Sequence, residues 1–106
     1  MPKKLKSSTT TKRSQLHPTA VHPGKVLQDE LVEIEINQST LAAHIGVLPK
    51  TINEICRGKR GISAEMAHKL SRALGASPEF WLNLQINWEL SQVAPGSFKT
   101  ITRLAA

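Results

Sequence analysis

The 106-residue chain is 40% apolar and carries a formal net charge of +6, a size and composition suited to one small domain with a modest core. No apolar run approaches the ~18 residues of a membrane span, no signal-peptide core stands near the start, and the lone Cys56 excludes an internal disulfide. A cytoplasmic protein is therefore expected.

Residues 1–20 are polar, basic and Ser/Thr-rich, without apolar periodicity, and read as a disordered arm. Such an arm is either a solvated tail or a source of phosphate or partner contacts. His22-Pro23-Gly24 punctuates the start of the first helix, where Leu27, Leu31 and Ile34 recur at i, i+4 and i+7. The outer face of this helix carries acids: residues 26–36 hold Asp29, Glu30, Glu33 and Glu35 and no base. Plain solvation and docking of a basic protein both fit that face.

Asn37 is placed to cap a second helix, and Gly46 to end it with positive φ. Pro49 suits the first position of a third helix, which stops at Gly58. Leu41, Ala42, Ile45, Val47, Ile52 and Ile55 fall where a helix-turn-helix needs apolar residues, with Ala42 small where the two helices cross. Ser63 caps a fourth helix whose inner stripe is Met66, Ala67, Leu70 and Leu74, and Gly75 closes it. Ser77-Pro78 opens a fifth, ending near residues 91–93. Phe80, Trp81, Leu84 and Trp88 give this last helix more apolar bulk than one narrow stripe absorbs, so Trp81, Leu84 and Trp88 are expected at a dimer interface. Residues 94–106 form a tail that fits a short helix, a strand or an extended arm equally. The expected fold is all-α: a single five-helix, lambda-repressor-like domain over residues 21–93, with helices 2 and 3 forming the helix-turn-helix.

In such a motif the second helix enters a DNA major groove. Its inward residues leave Lys50, Thr51, Asn53 and Glu54 as base readers, Lys matching guanine acceptors and Asn matching adenine. Gln38, at a helix N-terminus, and Arg57, Lys59 and Arg60 are placed to hold phosphates and set register. The basic excess over residues 50–72 coincides with this helix and the loop after it, as a polyanion partner requires. A two-fold dimer would place two such helices in grooves about 34 Å apart. Catalysis finds no support. His17, His22, His44, His68 and Cys56 form no zinc spacing, and there is neither a nucleophile–base arrangement nor a phosphate-cradling glycine loop. No metal, cofactor or small-molecule substrate is expected. Cys56, at helical spacing from Ile52, reads as a small buried apolar residue.

From His22 to Gln85 the chain resembles the HigA antitoxins, within the Cro/C1-type (XRE) helix-turn-helix group. His22-Pro23-Gly24, Asn37-Gln38, Leu41-Ala42, Gly46-Val47, Ile52-Asn53-Glu54-Ile55, Gly58-Lys59-Arg60 and Ile62-Ser63 carry the resemblance. The narrowest signature is the run from Ser77 to Gln85, SPEFWLNLQ. The resemblance implies an antitoxin that neutralises a HigB-like mRNA-cleaving toxin, and dimers that repress their own operon by binding double-stranded operator DNA. Lys25 stands where the family often has Glu. Leu48-Pro49 stands at the start of the groove helix, where many relatives of this group have a polar base reader, so direct reading shifts to Lys50, Thr51, Asn53 and Glu54. The rival readings are a stand-alone, phage-like repressor without a toxin and a toxin-binding module with vestigial DNA contacts.

Overall fold

The computed structural model describes residues 20–105, so all but the last residue of the expected basic arm, including His17, lies outside the described residues. Five α-helices follow one another: α1 (Pro23–Glu33), α2 (Gln38–Ile45), α3 (Pro49–Cys56), α4 (Ala64–Leu74) and α5 (Pro78–Ser91). A short 3-10 helix at Pro95–Phe98 ends the regular structure, which resolves the ambiguity of the tail. There is no strand among the described residues, and none of the described helices is long and apolar enough to cross a membrane.

The helix starts follow local chemistry. Asn37, Ser63 and Ser77 each accept a bond from a backbone N–H inside the helix that they open, at Thr40, Met66 and Phe80. His22 does the same through its ring: Nδ1 accepts from Gly24 N at 2.8 Å, a cap that its residue type does not advertise. Among the five α-helices, only α3 starts without one. Its N-cap is Leu48, which makes no side-chain bond, and Pro49 follows at the first helical position. Gly46 ends α2 at φ 76°, so Val47 N can donate back to Ala42 O and the chain turns into α3.

The core joins Leu27 and Leu31 of α1, Leu41 and Ala42 of α2, Ile52 and Ile55 of α3, Ile62 of the next loop, Met66, Ala67 and Leu70 of α4, and Trp81 of α5. Each fully buried large aliphatic side chain contributes about 1.5–3 kcal/mol. Gly24 is where α1 meets α3: a Cβ there would lie 1.7 Å from Ile55 O, so no other residue permits this approach without displacing a helix. The glycine of the HPG run is thereby a packing requirement.

Four expectations change. Ile34 does not continue the inner stripe of α1. It is the C-cap, and with Glu35 turning the chain at φ 60° its side chain swings out of the core to 40% exposure. Leu74, on the last turn of α4, is only half-buried, as is Cys56. Trp81 is 1% exposed and lies in the core, so it has no surface to offer a second subunit. Leu84 is half-buried against the core, and half-buried Trp88 packs its ring edge-on to His22 with centroids 4.7 Å apart. The apolar surface that α5 leaves open lies elsewhere, at Phe80, Ile86 and Leu90, and continues into Val93.

Candidate nucleic-acid interface

The α2–α3 pair turns Ile52 and Ile55 inward, which leaves Lys50, Thr51, Asn53, Glu54 and Arg57 on or near the outer side of α3. Lys50 is the most open of the expected base readers, its side chain 79% exposed. Thr51 and Asn53 are half-buried, while Arg57, Lys59 and Arg60 are exposed in and after the last turn. Backbone bonds hold that turn, Gly58 N donating to Ile55 O and Lys59 N to Glu54 O. All four expected base readers therefore share α3, and three of the four expected phosphate holders follow it directly in the chain.

Two polar networks organise this face. In the first, Asn53 Nδ2 donates to Gln38 Oε1 at 3.1 Å, and Gln38 Nε2 donates to Gln28 Oε1 at 3.0 Å. A relay of three amides thus runs from α1 through the start of α2 to the middle of α3, and it directs the Asn53 amide. The side chain of Gln38 is engaged in that relay, so it acts first as a positioner of Asn53. Sequence reasoning missed Gln28, because its partner lies ten residues away and no local spacing marks it.

In the second network Glu54 Oε1 accepts from both Arg60 Nε at 2.9 Å and Arg60 Nη2 at 2.7 Å, and Glu54 Oε2 lies 3.8 Å from Lys50 Nζ. The hydrogen bonds from Arg60, and then the charges of Arg60 and Lys50, hold the Glu54 carboxyl below the usual carboxylate range. Glu54 is thus engaged as a counter-ion, hydrogen-bonded by Arg60 and approached by Lys50. Burial pushes the Cys56 thiol up.

A third contact reaches this face from behind. Gln85 of α5 is buried, its Oε1 accepts from Ile62 N at 2.8 Å, and its Nε2 donates to Glu89 Oε2 at 2.7 Å. It anchors the chain two residues beyond Arg60. The final glutamine of SPEFWLNLQ therefore has a physical task, and so does its tryptophan: one holds the basic loop to α5, the other fills the core. No group of three or more potential metal ligands is gathered among the described residues.

Comparison with known proteins places this geometry. A helix-turn-helix family model matches residues 27–81. Virulence-associated protein A′ of Dichelobacter nodosus is 47% identical over 73 residues, which are 68% of this chain and 64% of that protein. Among solved structures, the antitoxin HigA of Pseudomonas aeruginosa with the higBA promoter shares 38% identity at a TM-score of 0.73, covering 81% of this chain and 99% of that one. An addiction module antidote protein of the HigA family from Coxiella burnetii shares 31% at a TM-score of 0.74, covering 80% and 98%.

Proposed function

The chain belongs to the helix-turn-helix family, among its HigA antitoxins, and we propose that it is a sequence-specific DNA-binding antitoxin that represses its own operon. It is not an enzyme: its chemistry is recognition. The observation that carries the proposal is the preorganised α3 face, where Asn53 is oriented by Gln38, and Arg60 and Lys50 are held by Glu54, on a scaffold shared with an antitoxin solved on its promoter.

Lys50, Thr51 and Asn53 read bases, with Lys50 reaching guanine acceptors and Asn53 adenine. Glu54 shares that edge of the helix and holds Arg60, which with Arg57 and Lys59 contacts phosphates. Gln38 orients Asn53 and presents the N-terminus of α2 to the backbone. A homodimer places two α3 helices on a two-fold operator, joined through the outer side of α5. The protein works in the cytoplasm, on the nucleoid when operator-bound. Its second partner is a HigB-like toxin, an assignment that follows from family membership.

The decisive experiment measures binding to the DNA immediately upstream of the protein's own operon, against random DNA, at about 150 mM salt. Lys50→Ala and Asn53→Ala should each lose about 1–3 kcal/mol on the operator and relax its sequence preference. Operator and random DNA bound equally by the wild type would sink the repressor reading. Co-expression with the product of the adjacent gene tests the toxin: co-purification supports it, and the absence of a toxin-sized neighbour leaves a stand-alone repressor.

A further inference from the structure

Between Asn37 and Glu79 one large apolar side chain stays exposed among the described residues, and it is Leu48, at 69%. It occupies the N-cap of α3, the single α-helix start without a side-chain cap bond; His22, Asn37, Ser63 and Ser77 all cap theirs. Asn or Ser here would satisfy a backbone donor, and Leu cannot. Folding therefore gains little from the Leu48 side chain, which is mostly exposed and makes no cap bond. A local rule broken without structural return is expected at a functional position.

The position itself says what the side chain meets. Recognition helices contact base edges through their N-terminal residues. Phosphates offer nothing to an alkyl group. The major groove presents one apolar group, the C5-methyl of thymine, which apolar side chains recognise. Lys50 and Asn53 stand two and five residues further along, with polar groups for the neighbouring bases. Leu48 N-caps the helix through its backbone alone, Thr51 N donating to Leu48 O at 3.0 Å, so the side chain is released to project ahead of the helix.

We propose that Leu48 is a specificity-determining residue that reads a thymine C5-methyl group in the operator major groove. This rests on the DNA-binding reading above. It also turns Leu48-Pro49 from a gap in the reading face into its apolar end.

The test replaces thymine by deoxyuracil, which lacks only the methyl group, across the upstream segment that the wild-type protein protects from nuclease. Titrations of thymine and uracil duplexes are compared for wild type, Leu48→Ala and Leu48→Ser. Wild type should lose roughly fourfold in affinity for each contacted methyl removed, the worth of one buried methyl group. Leu48→Ala should bind the two duplexes alike. Leu48→Ser should also lose the discrimination while its melting temperature rises, because serine restores the missing cap. Indifference of the wild type to uracil overturns the proposal, and so does an equal uracil penalty in all three proteins, which would assign the methyl to another residue or to DNA shape. Failure of wild type to select any upstream segment over random DNA overturns the DNA-binding reading itself, a result distinct from either.

Discussion

The outer sides of α3 and α5 are both open to water, yet one is polar and tethered while the other is apolar and uncovered. On α3, Asn53 is tied to Gln38, and Lys50 and Arg60 converge on Glu54. These bonds hold side chains in place before any ligand arrives, which lowers the ordering cost of binding. On α5 the apolar residues run right round the helix. Trp81 takes the core, Leu84 the boundary, and Ile86 and Leu90, one turn apart, are left in solvent. Exposed apolar side chains on successive turns, here interleaved with Asn83, Asn87 and Glu89, call for cover on that side. The first face is complete within one chain; the second asks for another.

Trp81 is the point where the two faces depend on one another, since it packs α5 against the core that carries α3. Trp81→Ala should cost about 3–5 kcal/mol in chemical denaturation, enough to unfold a marginal domain and abolish both surfaces together. Trp81→Phe should cost much less, because it keeps most of the buried ring and removes an indole N–H that has no hydrogen-bond partner in the fold. Equal losses for the two substitutions would mean that the ring volume does not matter and that the core is organised otherwise.

Leu90→Asp separates the faces. Leu90 is 68% exposed, so the monomer's stability should change by no more than about 0.5 kcal/mol. If α5 is covered by a second copy, the solution mass should fall from dimer to monomer, and operator affinity should fall with it, while affinity for random DNA stays within a few fold. An unchanged dimer would move the interface away from this side of α5.

The same contrast explains what could be read from residue order. Asn37, Ser63, Ser77, Gly46 and Gly75 act on neighbours within four residues, so their caps and stops are legible locally. Ile52 and Ile55 point inward because the rest of α3 is polar and the helical period then identifies one buried side. Along α5 the period carries no such information: with apolar residues in every direction, Trp81 and Ile86 are indistinguishable until α4 and α1 pack against one side. That is why Trp81 reads as an interface residue and proves to be core. The outward residues of α3 are legible from the helical period, but the network that joins them is not. Gln28 with Gln38, and Gln85 with Ile62, are joined across ten and 23 residues by amides that any solvated surface also carries. Glu54 with Arg60 depends on the turn at Gly58 bringing the loop back over α3.

The smallest effect tests how firmly α1 and the start of α5's last turn are bound into that scaffold. His22 Nδ1 accepts from Gly24 N, and its ring meets Trp88, so partial burial holds the imidazole below its ordinary pKa of about 6.5. The folded state therefore favours the neutral ring. Above the unfolded value both states are neutral and the full stability is present. As pH falls below ~6.5 the unfolded chain takes up its proton first, and stability declines until the lowered folded value is also passed. Protonation at Nδ1 would turn the cap's acceptor into a donor facing Gly24 N. Melting temperature should thus drop modestly between neutral pH and the acid side of 6.5, and His22→Asn, which keeps a capping acceptor without a titrating ring, should flatten that slope. A slope left intact in His22→Asn would mean that the cap at α1 tolerates a proton.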